Sequence, residues 1–278
     1  MLDYRVVIAA CLLLPFHNVS AQEAGESTVD QTADSKAKPL TEIAVVAVGP
    51  APPRRYKDAG GNAPPIMLLP TPGEIPPSRL YYKGRSSSEG KSDWQTFNVT
   101  FNNPSTMKSV VPEKSLSLYR KDKESGEYKL YVTIPPGTLG SRRVFFLIPS
   151  TTGRKLWDKP PLVRTINLDS KTLEGKQFIL KNLSSFTVLH AFANSVTSVP
   201  PMKTISYTRP KSGELYRLAA RYGTQKKIIY NTAVKLDTHG NIQLFALYNA
   251  SPQTNAGRSV GVFRMMIPAR PKPGTTAP

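Results

Sequence analysis

Acid–base chemistry would have to start from His190 or His239, the two histidines that lie beyond the N-terminal leader. His190 sits in Phe186-Thr-Val-Leu-His-Ala-Phe192, where alternation puts it on the face of Phe186, Val188 and Phe192. A hydrolase would add a nucleophile and an orienting carboxylate. Ser184 and Ser185 are close in sequence, but no acid lies within that strand and no Gly-x-Ser-x-Gly elbow occurs. The expectation is therefore a buried histidine bonded to a backbone group, with His239 a solvated residue of the Asp237–Asn241 turn. A hydrolase whose site assembles from distant loops, with His190 or His239 as base, is the alternative from another function class. Paired carboxylates brought from distant strands, as in glycosidases, also stay open.

Metal and cofactor chemistry has little to build on. Cys11 is the only cysteine, so a zinc or copper site would lack its usual ligands. Asp122, Glu124 and Glu127 crowd one loop, but Lys121 and Lys123 interleave with them. That pattern reads as a solvated hairpin tip rather than a calcium loop. No cofactor is expected.

Charge is the stronger signal. The chain has 37 Lys and Arg against 19 acids, a formal net charge of +18. From Val196 onward there are 12 cations against Glu214 and Asp237 alone. Such a field attracts polyanions. Lys203, Arg209, Lys211, Arg217, Arg221, Lys226 and Lys227 are read as a cationic surface for an anionic envelope polymer, glycan or membrane face. Tyr216 and Tyr222 are read as stacking partners within it. Nucleic acid is not the expected partner, and a protein partner is left open. Tyr81-Tyr82-Lys83, Tyr119-Arg120, Tyr216-Arg217 and Arg221-Tyr222 interleave aromatics with cations. That pairing suits sugar stacking, and it also arises where half-buried strands carry Tyr at the rim of a core.

Ser206-Tyr207-Thr208, then Ser212-Gly213-Glu214-Leu215 through Ala219-Ala220-Arg221-Tyr222-Gly223 and on to Asn231, resembles a LysM module. The resemblance implies peptidoglycan or chitin binding and a helix ending at Tyr222-Gly223. The chain departs from it in lacking a Thr between Glu214 and Leu215 and in carrying Pro210 in the first strand. The longer pattern, from Leu80 through paired strands to Val260–Ile267, is similar to uncharacterised secreted β-sandwich proteins of bacterial envelopes. That likeness implies a location and a fold, not an activity.

The elements that must position these residues read as strands. Trp94–Phe101 alternates, with Phe97, Val99 and Phe101 on one face. Tyr128, Leu130, Val132 and Ile134 alternate in the same way after a hairpin from Leu116 and Leu118. Val144–Ile148 is apolar on both faces and should be central. Further strands are expected near 164–168, 177–181, 186–193, 203–207, 228–232, 242–249 and 260–267. The segment 213–223 has helical spacing but sits among strands, and is read as a strand with irregular ends. The fold class is all-β: an antiparallel, immunoglobulin-like β-sandwich of one or two domains. Phe97, Val99, Phe101, Leu130, Val132, Phe146, Val188, Phe192, Leu244 and Val262 are the expected core. No internal repeat of fixed period is visible.

The ends complete the layout. Arg5, the apolar run Val6–Leu14 and Val19-Ser20-Ala21 read as a signal peptide over 1–21, cleaved after Ala21, which places the protein in the periplasm or outside the cell. Lipidation at Cys11 is the alternative. Residues 22–40 are read as a disordered leader, 41–77 as a Pro-rich extended segment opening with a short strand at 43–48, and 268–278 as a disordered tail. Within 41–77, Ile66, Met67, Leu68 and Leu69 form an apolar patch that is expected to lie across the domain surface. The sandwich is expected over 78–160 and 161–267, joined near Trp157–Pro161.

Overall fold

The run Thr41-Glu-Ile-Ala-Val-Val-Ala47 forms β1, and every residue in it except Glu42 is buried. A strand covered on both faces needs a layer on each side, and the computed structural model supplies two. The structure describes residues 41–61, 63–86, 92–103, 105–110, 115–136, 141–150, 153–192, 195–208, 215–222, 225–233, 240–251 and 257–269. These belong to one compact unit, Lys38–Pro278. The side chains of 85, 86, 92, 93, 215, 220–222, 225 and 226 lie outside the description, as do residues 1–40 and 270–278.

All regular structure among the described residues is strand. After β1 come β2 (Arg55–Lys57), β3 (Ile66–Leu68), β4 (Arg79–Ser86), β5 (Ser92–Asn98), β6 (Lys108–Val110), β7 (Leu116–Lys121), β8 (Tyr128–Ile134), β9 (Arg142–Ile148) and β10 (Leu162–Asn167). The chain continues with β11 (Phe178–Asn182), β12 (Val188–Phe192), β13 (Ser195–Val199), β14 (Thr204–Tyr207), β15 (Leu215–Tyr222), β16 (Gln225–Ala233), β17 (Ile242–Asn249) and β18 (Val260–Ile267). They form four four-stranded sheets, ordered β5-β4-β7-β8, β10-β9-β1-β6, β14-β11-β17-β18 and β13-β12-β15-β16, plus a separate β2-β3 ribbon.

The four sheets stack as layers. Ile43, Val45, Phe145 and Leu147 face Leu80, Phe97, Leu118 and Ile134 of the first outer sheet. The opposite face of the same inner sheet, with Ala44, Val46, Val144 and Phe146, meets Ile179, Leu244, Ala246 and Met265 of the second inner sheet. That sheet turns Phe178, Leu180, Phe245 and Leu247 toward Val188, Tyr216, Leu218 and Ile229 of the second outer sheet. The result is two sandwich-like pairs set inner face to inner face.

The two pairs repeat one topology. In each, the first strand (β1 or β11) runs parallel to the seventh (β9 or β17). The second and third strands, and the fifth and sixth, form hairpins whose second and fifth members pair at the centre of the outer sheet. The fourth strand returns antiparallel to the first, and the eighth lies antiparallel to the seventh. The sixth strand of each set carries a bulge at the same place. Leu118 and Tyr119 pair with Val132 and Leu130, leaving Tyr131 extra; Leu218 and Ala219 pair with Tyr230 and Ile228, leaving Ile229 extra.

Several expectations change. The first sandwich begins at β1, the central strand of a sheet, not at residue 78. The joint lies later than Trp157–Pro161, since Trp157 is buried in the first core and β10 pairs with β9. The sheets are antiparallel except for one parallel pair in each half. An immunoglobulin constant domain puts its first, second, fourth and fifth strands in one sheet, whereas here the first and fourth share a sheet with the seventh and eighth. Leu130 is 58% exposed rather than in the core, because the Tyr131 bulge reverses the alternation. Phe101 and Val262 are partly buried at the core margins. The other seven expected core residues are buried. Residues 215–222 are strand, including the stretch that the LysM likeness would make helical.

Candidate functional site

Of the sequence-derived cationic surface, the side chains of Lys203, Tyr216, Arg217 and Lys227 fall among those described. Tyr216 is fully buried, its ring 4.5 Å from Phe178 and 5.0 Å from Phe245. It is a core aromatic and cannot stack on a ligand from solution, because period-2 alternation turns it inward and Arg217 outward. Arg217 and Lys227 are exposed on the second outer sheet, and the Lys227 Nζ donates to the Gly257 carbonyl at 2.8 Å. Lys203 is exposed in the turn before β14. Its neighbour Lys181 has a lowered pKa, from burial first and then from the Arg164 and Lys203 charges. Arg209, Lys211 and His239 lie outside the described residues, as do the side chains of Arg221, Tyr222 and Lys226.

His190 is sealed. It is 0% exposed, among Phe178, Phe192, Tyr207 and Tyr216. Its Nδ1 lies 3.1 Å from the Tyr207 hydroxyl, so its partner is a side chain of β14 rather than the expected backbone group. Burial lowers its pKa to about 4, which keeps the imidazole neutral near pH 7. The neighbouring serines bond to other groups. Ser184 Oγ donates to Asn182 Oδ1 at 2.7 Å, and the Ser185 amide donates to Asn249 Oδ1 at 2.9 Å. Among the described residues no group of three or more His, Cys, Asp and Glu could hold a metal ion.

Glu74 is buried too, as are Arg142 and Arg143 of β9. It accepts from the Thr71 amide at 2.6 Å, from Arg154 Nε at 2.5 Å and from Arg55. The Thr71 amide and then Arg154 hold its pKa at about 2. Gly73 beside it has φ 84°, a conformation that favours glycine. A Cβ there would also stand 2.0 Å from Asp158 Oδ1. The Gly73 carbonyl accepts from the Trp157 amide at 2.8 Å. This set fixes the root of the segment that carries β2 and β3.

A candidate ligand surface lies on the solvent face of the first outer sheet. Cross-strand partners share a face, and the register pairs Lys83 with Trp94, Tyr81 with Tyr119, Tyr119 with Leu130, and Lys121 with Tyr128. All four aromatics are half-buried. Trp94 and Tyr128 come from the two edge strands and stack at 3.9 Å with 15° between planes. Tyr81 meets Tyr128 edge-on at 5.1 Å, and Tyr119 meets Trp94 edge-on at 5.1 Å. Lys83 Nζ lies 5.8 Å from the Trp94 ring and Lys121 Nζ 5.6 Å from Tyr128. The platform continues into an open cleft of about 860 Å³. Tyr81, Arg79, Arg120, Lys121 and Lys123 line the cleft, against the acids Asp122 and Glu124. Asp122 is already occupied. It accepts from Lys129 Nζ at 2.6 Å and from the Glu124 and Ser125 amides, which hold its carboxyl well below the usual range. This is the solvated hairpin tip expected from sequence.

Tyr81, Tyr119 and the cations beside them carried a sequence signal. Trp94, Tyr128 and Leu130 did not, because their convergence depends on sheet order and on the bulge. No protein-family model and no curated protein matches the chain.

Proposed function

We propose that the protein is a non-enzymatic binding module of the bacterial cell envelope, exported with cleavage after Ala21, that holds an anionic glycan on its first half. The observation that carries this reading is the Trp94–Tyr128 stack with Tyr81 and Tyr119, set against a cleft with four cations. Aromatic faces pack against the apolar C–H faces of sugar rings, while Arg79, Arg120, Lys121 and Lys123 suit the carboxylates or phosphates of an acidic polymer. The reading counts each eight-strand set as one domain. Its non-enzymatic part rests on His190, which is buried, neutral near pH 7 and bonded to a tyrosine.

Affinity electrophoresis through gels containing polygalacturonate or its neutral methyl ester tests it. Retardation by both polymers is expected, stronger on the acid form and weakening with salt. Trp94→Ala and Tyr128→Ala should abolish both. Arg120→Gln with Lys121→Gln should remove only the excess on the acid form. Unchanged mobility of the wild-type chain in both gels refutes the reading.

A further inference from the structure

Residues 48–78 separate β1 from β4, whereas residues 183–187 separate the equivalent strands β11 and β12. The long connection carries the β2–β3 ribbon, whose strands pair only with each other. Exposed apolar side chains stand on both of its faces, and on one of them they pair with Arg55 and Lys57. Tyr56 and Met67 oppose each other on one face at 56% and 55% exposure. Ile66 and Leu68 lie on the other at 57% and 41%, and Leu69 follows at 78%. This overturns the expectation that Ile66–Leu69 would lie down on the domain surface. An isolated two-stranded ribbon has little stability of its own in water, and clustered exposed apolar groups mark a contact surface.

The ribbon's edges narrow what that contact is. Each strand has three residues, and Pro52, Pro53, Pro64, Pro65 and Pro70 bracket them. Proline has no N–H to donate, so short strands between prolines resist the addition of a further strand. A folded partner would cover one face and leave the other wet, whereas the boundary layer of a bilayer surrounds both. Arg54 and Lys57 are exposed beside the apolar side chains, with Asp58 the neighbouring acid. Arg55 ties the base of the ribbon to buried Glu74, which also binds Arg154.

We propose that the β2–β3 ribbon is a membrane-contact arm, in which Tyr56, Ile66, Met67, Leu68 and Leu69 enter the headgroup–acyl boundary of an anionic bilayer while Arg54 and Lys57 hold its phosphates. Basic groups flanking a small apolar surface are the combination that binds such an interface. The arm uses residues separate from the glycan platform and does not rest on that reading.

The chain from Gln22 onward, which has no cysteine of its own, tests it, with Met67→Cys carrying an environment-sensitive fluorophore. Vesicles of phosphatidylethanolamine with phosphatidylglycerol should shift the emission to the blue, and brominated acyl chains should quench it. Phosphatidylcholine vesicles should do so far more weakly. Leu68→Ser with Leu69→Ser, both exposed and outside the core, should lower partitioning by at least about tenfold. Trp94→Ala should leave it unchanged, which separates this inference from the glycan reading. Three results overturn the proposal: no shift on anionic vesicles, a shift that grows with protein concentration without vesicles (a second copy), or protection of the fluorophore only by a protein of the envelope.

Discussion

The two eight-strand halves share sheet order, strand direction and even the bulge on the sixth strand, yet they face solvent differently. The register makes Tyr81 equivalent to Leu189, Tyr119 to Ala219, Leu130 to Ile228, Trp94 to Val196 and Lys83 to Ala191. Leu130 and Ile228 are both turned outward, at 58% and 55% exposure. The first half therefore carries Tyr81, Trp94, Tyr119 and Tyr128 on the outer face, besides its core aromatics, and adds the β2–β3 ribbon. The second half gathers Phe178, Phe192, Tyr207, Tyr216, Tyr230 and Phe245 inside. One backbone supports both arrangements, because alternation fixes which face a residue occupies and leaves its chemistry free. On the proposed reading, binding follows from which face received the aromatics, not from the architecture.

The largest expected effect tests whether the halves are energetically separate. Phe178 is fully buried among four of these rings, so Phe178→Ala should cost about 3–5 kcal/mol. If the inner sheets couple the halves, urea unfolding stays a single transition and shifts as a whole. If they do not, only a second-half transition moves.

Acid should separate the halves next. The pKa of His190 falls from 6.5 to about 4 on folding, so the unfolded chain takes up that proton first. Stability should therefore drop as the pH falls from 6.5 toward 4, by up to about 3 kcal/mol. Glu74 has a pKa of about 2 against an ordinary 4.5, and its stabilisation is lost only as the pH falls from 4.5 toward 2. Hydrogen exchange at pH 5 should speed up in β12, β14 and β15 while β1 and β9 hold, and His190→Leu should remove the difference. Equal acceleration in both halves breaks the comparison.

The bulges should give a smaller and matched response. Tyr131 donates its hydroxyl to the Trp157 carbonyl at 3.0 Å, and Tyr131→Phe should cost about 1 kcal/mol. Ile229→Val at the equivalent bulge should cost a similar amount, read as a shift of the urea midpoint. The smallest stability change should come from transferring the platform. Val196→Trp, Leu189→Tyr and Ala219→Tyr together alter the second outer face, and surface changes of this kind usually stay within about 0.5 kcal/mol each. Retardation on the methyl-esterified glycan should rise in this variant with Trp94 replaced by Ala. No gain would mean that the stack needs the ring of Tyr128, whose equivalent position in this variant is still Lys226.

Much of the fold was legible because alternation is local. Phe97 and Val99, the doubly apolar Val144–Ile148 and the inward face of His190 all follow from period 2 along a single strand. So does the strand at 215–222, despite its helical spacing. The site was less legible. Tyr216 was placed on the surface because its cationic neighbours drew attention, although its own alternation with Arg217 already pointed inward.

What the sequence determined by itself is which residues can lie on one face of a strand, together with the basic charge that any anionic partner would meet. What only the tertiary structure decided is which strands become neighbours. β1 pairs with β9 across roughly a hundred residues, Tyr131 is squeezed out of register, and Trp94 and Tyr128 meet over the middle of a sheet from its two edges. Alternation carries no address for a partner strand, and pairing is settled by how all the layers close over a shared core. The repeat is visible in the order of strands and not in the letters, because burial constrains apolar character and volume at each position while leaving the residue type open.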